Sequence, residues 1–131
     1  MSRNALAVQG VAAPLAYYSH AIVVDRTLYV AGQVPLDESG TVVPGDAAAQ
    51  ARQVLTNLSR IVESAGATLD DVVKTTVFLT NMADRGAVGA VRKDFFSDPP
   101  PANTLVGVAA LAEPDFLVEI EAIVDLSRAA R

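Results

Sequence analysis

Two glutamates near the end of the chain have the residue type and spacing for acid–base chemistry. Glu119 and Glu121 alternate with apolar residues in the run from 117 to 124. A strand here would point both carboxylates to one face, about 6.6 Å apart along the strand. Leu117 and Ile123 would share that face, and an apolar setting disfavours the charged carboxylate, which tunes a general acid or base. The same spacing also fits a solvated strand face without a catalytic role.

One histidine and no cysteine exclude most other catalytic designs. His20 follows Tyr18 and Ser19 at the start of a predicted strand, where a hydrogen-bonded strand-end residue is the ordinary interpretation. A single histidine cannot form a two-histidine ribonuclease site or a histidine-rich metal site within one subunit. Without cysteine, thiolate nucleophiles, thiolate zinc sites and iron–sulfur clusters are excluded. No phosphate loop or dinucleotide motif is present, so we expect no cofactor and no metal.

Length, charge and hydropathy limit the function classes further. The 131 residues fit one domain over residues 1–131. A hydrophobic fraction of 51% excludes a disordered chain, and a net charge of −5 argues against nucleic acid as a partner. The uncharged stretch 4–24 contains Pro14 and several polar residues, so it resembles neither a signal peptide nor a spanning helix. We therefore expect no membrane association and a cytoplasmic location.

The sequence predicts two helices that would pack beside the strands. Asp46 is a suitable N-cap for a helix with apolar residues at three-to-four spacing, and Gly66 is a suitable stop. A second helical pattern runs through Val88 and Val91 to Phe96, and three prolines at 99–101 would end it.

Five β-branched or alternating apolar runs predict strands. The predicted strands are 21–24, 27–31, 72–79, 104–108 and 117–124. The element order is therefore ββαβαββ. Two helices cover only one face of such a sheet, yet apolar side chains fall on both faces. We expect the uncovered face to be buried by self-association.

Several motifs in order along the chain resemble the Rid family, also called YjgF/YER057c/UK114. The resemblance runs from about Ala13 to Ile123. The motifs are Tyr18-Ser19-His20-Ala21, Leu28 through Pro35, Gln50 through Asn57, Asp71 through Leu79, Phe95-Phe96 and Val118 through Ile123.

This resemblance implies an α+β, chorismate-mutase-like subunit that forms a homotrimer with small-molecule clefts at the subunit interfaces. It also implies a cofactor-free enamine or imine deaminase that forms 2-oxo acids and ammonia. In the family an arginine clamps the substrate carboxylate and a glutamate positions the attacking water. A tyrosine at the position of Tyr18 lines the cleft, and backbone N–H groups near Gly32 and Leu105 assist carboxylate binding.

The sequence keeps part of this pattern and departs from the rest. Glu119 matches the family glutamate, and Tyr18 and Gly32 also fit. The Pro-Ala-Arg of the family is Pro101-Ala102-Asn103 in this chain, so the arginine clamp is missing. The remaining departures are Ala31 for serine, Gly89 for asparagine and Leu105 for cysteine.

We therefore predict Glu119 as the catalytic residue of a changed cleft. The predicted substrate-binding residues are Tyr18, Ala31, Gly32, Gly89, Asn103 and Leu105. The leading hypothesis is a hydrolase acting on an imine, enamine or carbonyl substrate without the usual carboxylate, because Asn103 offers a neutral amide instead of a bidentate cation. The alternative is a non-catalytic trimeric module that binds a small metabolite or regulates a partner enzyme. RNA cleavage is disfavoured by the acidic charge and the single histidine.

Overall fold

A computed structural model describes residues 2–129, and its strands form one mixed six-stranded sheet. The strands are β1 (Asn4–Ala5), β2 (Ala21–Val24), β3 (Thr27–Gln33), β4 (Val72–Leu79), β5 (Ala102–Gly107) and β6 (Val118–Asp125). Their order in the sheet is β1-β2-β3-β6-β4-β5. The β4–β5 pair is parallel and the other neighbours are antiparallel. With helices α1 (Ala47–Ser64) and α2 (Arg85–Phe95), this confirms the predicted α+β class and, from β2 onward, the predicted order of helices and strands.

Helix α1 forms where the apolar spacing predicted it. The Asp46 side chain accepts a hydrogen bond from the Ala49 N–H at 3.0 Å, which satisfies a free donor of the first turn. Leu58 and Ile61 on one side of the helix are fully buried. Gly66, with φ of +78°, adopts the left-handed conformation that ends the helix.

Helix α2 begins after a short 3-10 turn at Met82–Asp84. Asn81 caps that turn by accepting a hydrogen bond from the Ala83 N–H at 3.0 Å. The helix ends at Phe95, one residue before the predicted end, because Phe96 is already extended. Buried Val88 and Val91 lie on this helix, which packs against α1.

The two faces of the sheet have different surroundings. Val77, Ile120 and Val124 point to the helices and are buried. On the opposite face a cavity of about 410 Å³ lies among residues that include Tyr29 and Ile123, and Tyr29 is 50% exposed. Apolar side chains therefore occupy both faces, as the sequence predicted.

Several predicted boundaries were wrong by a few residues. Strand β3 continues to Gln33 instead of ending at Ala31, because a bulge after Val30 lets Gln33 pair with Ile120 of β6. Strand β5 is 102–107 instead of 104–108, and β6 is 118–125 instead of 117–124. Strand β1 was not predicted. It is two residues long and is held by backbone pairing with β2. Two residues are too few to form a hydrophobic pattern that predicts a strand.

The described residues contain no helix that is long and apolar enough to cross a membrane. A single hydrophobic core cluster joins the sheet and α1. One domain over residues 1–131 stays a prediction, and Met1, Ala130 and Arg131 lie outside the described residues.

The open apolar face of the sheet predicts self-association. A charge placed on this face should weaken that association. We expect the wild-type protein to sediment as a trimer at micromolar concentration and Tyr29→Glu to shift it to smaller species, because a carboxylate would be desolvated at the interface. Sedimentation velocity measures this. Ala90→Glu, which puts the same charge on the exposed side of α2, is the control, and a monomeric wild type would contradict the expectation.

Candidate functional site

Glu119 lies on the open face of β6 with its carboxyl group directly over Gly32. A Cβ at position 32 would lie 2.7 Å from the Glu119 Cδ, which is closer than real Cβ atoms approach other atoms. Gly32 follows Ala31 in the β-bulge of β3, and bulges often re-aim side chains next to functional sites. A side chain at position 32 would therefore displace the Glu119 carboxyl group.

The surroundings of Glu119 favour its neutral form. The side chain is half-buried, and burial raises the pKa of its carboxyl group above the ordinary value of 4.5. The negative charge of Glu121, the next residue on this face of the strand, raises the same pKa further. A carboxyl group with a raised pKa can both donate and accept a proton closer to neutral pH, as a general acid or base must.

Both ring nitrogens of His20 are held in hydrogen bonds, so His20 supports the bulge of β3 and is not a free catalytic group. Its Nε2 donates to the Ala12 carbonyl at 2.6 Å, so Nδ1 accepts from the Gln33 side-chain amide at 3.3 Å. The same amide donates to the Ala31 carbonyl at 3.0 Å. The Tyr18 ring meets the His20 ring edge-on, with centroids 6.4 Å apart. This confirms the hydrogen-bonded strand-end interpretation of His20 and places Tyr18 beside the bulge.

A second group of predicted site residues lies on the helix side of β5 and α2. Asn103 pairs with Thr75 of β4, and the Thr75 hydroxyl donates to its Oδ1 at 2.7 Å. Leu105 lies two residues further along β5 and is 39% exposed. Gly89 of α2 lines a cavity of about 380 Å³ next to this edge of the sheet.

The structure does not bring the two groups together within one subunit. Glu119 aligns with Phe78 of β4, whereas Asn103 aligns with Thr75. Positions 75 and 78 point to opposite faces of β4 because side chains alternate along a strand. Two strand spacings, about 9.6 Å, also separate β6 from β5. One small ligand therefore cannot touch both Glu119 and Asn103 of the same chain.

Arg92 of α2 belongs to the second group and was not predicted from the sequence. Its Nη2 donates to the Thr75 hydroxyl oxygen at 3.1 Å. Its guanidinium lies 5.2 Å from the centroid of the Phe96 ring, and burial lowers its pKa. Arg92 follows Gly89 by three residues, so both lie on one side of α2. That helical spacing was the available signal.

Comparison with known proteins establishes the family. The family model described as Endoribonuclease L-PSP matches residues 9–126. The chain belongs to the Rid (YjgF/YER057c/UK114) family.

Relatives in the Rid family include enzymes and proteins of solved structure. The 2-iminobutanoate/2-iminopropanoate deaminase of Mus musculus is 43% identical over 122 residues, which are 92% of this chain and 90% of that protein. RidA from the Antarctic bacterium Psychrobacter has 37% identity and a TM-score of 0.89 over 93% of this chain and 98% of its own. E. coli TdcF with bound serine has 31% identity and a TM-score of 0.89, and the match covers 95% of this chain and 99% of the TdcF chain.

Adding a methyl group at Gly32 should displace the Glu119 carboxyl group. We expect Gly32→Ala to lower any Glu119-dependent activity at least about tenfold, because positioning errors near 1 Å can cost about a hundredfold. The fold should persist by circular dichroism. Gly86→Ala on α2 is the matched control, since a Cβ there meets nothing within 4 Å. Equal activity of Gly32→Ala and wild type would contradict the contact.

The raised pKa of Glu119 predicts a pH-dependent stability difference. Between the ordinary pKa of 4.5 and the higher native value, the native state binds a proton that the unfolded chain has lost. Stability therefore falls as pH rises through this window. We expect Glu119→Gln to gain free energy of unfolding relative to wild type at pH 8 and to lose this advantage near pH 4. Urea unfolding measures it, with Glu38→Gln on an exposed loop as control; a pH-independent difference would contradict it.

Proposed function

We propose that the protein is a cofactor-free hydrolase of the imine/enamine deaminase type, acting in a cleft between subunits. The observation that carries this proposal is the half-buried Glu119 carboxyl group, held over Gly32 and shifted to a higher pKa. The relative from Mus musculus, which is 43% identical, is named a 2-iminobutanoate/2-iminopropanoate deaminase. Its name supports imine chemistry for this chain.

Glu119 would act first as a base and then as an acid. Its carboxylate accepts a proton from water while the water oxygen attacks the carbon of the protonated imine, which gives a neutral carbinolamine. The protonated carboxyl group then returns that proton to nitrogen. As the C–N bond breaks and ammonia leaves, the carboxylate accepts the hydroxyl proton, and the carbonyl product forms. With an enamine, the neutral carboxyl group would first protonate the carbon to form the imine. General acid–base catalysis of this kind contributes about 10²- to 10⁴-fold.

The placement of the two residue groups supports a cleft shared by two subunits. Glu119 and Asn103 point to opposite faces of one sheet. A substrate held by both groups must then take Glu119 from one subunit and the α2–β5 edge from a neighbour. The open apolar face supports the homotrimer that the family resemblance implies.

Asn103 does not provide the carboxylate clamp of the family pattern. Its carbonyl oxygen accepts a hydrogen bond from Thr75, which leaves a neutral N–H₂ donor. A neutral amide lacks the bidentate, charge-assisted bonds of a guanidinium. The proposal therefore covers imine, enamine or carbonyl substrates whose acidic group, where present, is not anchored by residue 103.

The second candidate function is a non-catalytic trimer that binds a small metabolite or regulates a partner enzyme. The change from arginine to Asn103 favours it, because loss of the clamp removes the usual substrate anchor. RNA cleavage is not proposed. His20 is held by Ala12 and Gln33, and the net charge of −5 opposes RNA binding.

Ammonia release tests the proposed hydrolase. We expect the wild type to release ammonia above the buffer rate from 2-iminobutyrate generated in situ, or from the corresponding imine without a carboxylate. Glu119→Gln should lower that rate about 10²- to 10⁴-fold. The deaminase from Mus musculus is the positive control. If it turns over and the wild-type protein releases no ammonia from either substrate, the deaminase proposal is wrong and the non-catalytic module is favoured.

A further inference from the structure

Arg92 carries a positive charge that no carboxylate neutralises within residues 2–129. The two ion pairs of this region are Arg52–Asp94 at 2.6 Å and Arg128–Asp71 at 3.0 Å. Asp94 lies two residues after Arg92, but its carboxylate pairs with Arg52. A half-buried guanidinium without a counterion is unusual, because burial of a charge is costly unless the charge is paired.

One nitrogen of this guanidinium has no hydrogen-bond acceptor. Nη1 is buried and has no partner among the described residues, whereas Nη2 is held by Thr75. Buried donors without acceptors are rare and call for an explanation such as an absent ligand. The contact with Phe96 and the hydrogen bond to Thr75 keep the guanidinium in place.

The same contacts bring Arg92 close to position 103. Two successive hydrogen bonds, 3.1 Å from Arg92 to Thr75 and 2.7 Å from Thr75 to Asn103, keep the Nη2 of Arg92 within about 6 Å of the Asn103 Oδ1. The amide nitrogen of Asn103 makes no hydrogen bond to residues 2–129. A guanidinium and an amide N–H₂ therefore lie next to each other, and both have N–H groups without an acceptor among residues 2–129.

A cavity of about 380 Å³ adjoins Arg92 and has room for a small ligand. Arg92, Gly89 and Phe96 line it, with Lys93 and Asp98. Gly89 leaves open space, since a Cβ there would meet nothing within 4 Å. The three charged lining residues leave a net positive charge, which favours an anion.

We infer that Arg92 binds the carboxylate of a small organic acid in this cavity. A guanidinium on α2 thus replaces the one missing from β5. The assignment of this acid as a 2-imino or 2-enamino acid, or its 2-oxo acid product, rests on the proposed function. The binding site itself depends only on the contacts of Arg92.

Binding of 2-oxobutyrate to the intact protein tests the inference. We expect Arg92→Gln to raise the Kd for 2-oxobutyrate at least about tenfold, because a charge-assisted bond is lost. Arg92→Lys should be intermediate, since it keeps the charge without the fork. Arg85→Gln removes the same charge at an exposed position of α2 and should stay within about twofold. Isothermal titration calorimetry measures all four proteins.

A rescue variant separates lost binding from a damaged fold. Asn103→Arg added to Arg92→Gln should restore binding, because a guanidinium again faces the same ligand group. The inference is wrong if the wild type does not bind 2-oxobutyrate, if Arg92→Gln binds like wild type, if Arg85→Gln weakens binding equally, or if the double variant fails to bind while folded.

Glu119→Gln separates this inference from the proposed function. Binding that depends on Arg92, in a protein that turns over no substrate, would support the inference and refute the hydrolase. Turnover that depends on Glu119, with binding unaffected by Arg92→Gln, would support the hydrolase and refute the inference.

Discussion

The antiparallel ladder between β4 and β6 determines where every group of the site can act. It aligns Glu119 with Phe78 and so directs the glutamate away from the helices. The parallel ladder on the other edge of β4 aligns Asn103 with Thr75 and directs the asparagine towards them. Because side chains alternate along each strand, no local adjustment can move either group to the other face. Within one subunit Glu119 and Asn103 therefore stay on opposite faces of the sheet.

The chemistry on the two faces also differs. On the open face, burial and the nearby Glu121 shift Glu119 towards its neutral form, which suits proton transfer. On the helix side, burial leaves Arg92 with a donor that nothing in residues 2–129 satisfies, which suits anion binding. The group suited to proton transfer and the group suited to anion binding thus lie on opposite faces of the sheet in one chain.

Local patterns predicted much of the fold. The apolar spacing between Asp46 and Gly66 predicted α1, and the alternation around Glu119 predicted its face. These features depend on residues that are close in sequence. The bulge after Val30 lies instead in the pairing of β3 with β6, which is distant in sequence, so the end of β3 was misplaced. Strand β1 has too few residues for any pattern.

The sequence by itself determined the residue types available for chemistry: one histidine, no cysteine, a glutamate in an alternating strand, and an asparagine at position 103. It did not determine that Arg92 lies beside Asn103. Eleven positions separate them, on different elements, and the link runs through Thr75 on a third element. Only the packing of α2 against the β4–β5 edge decides that contact, because it depends on how two elements approach in space rather than on any spacing within one.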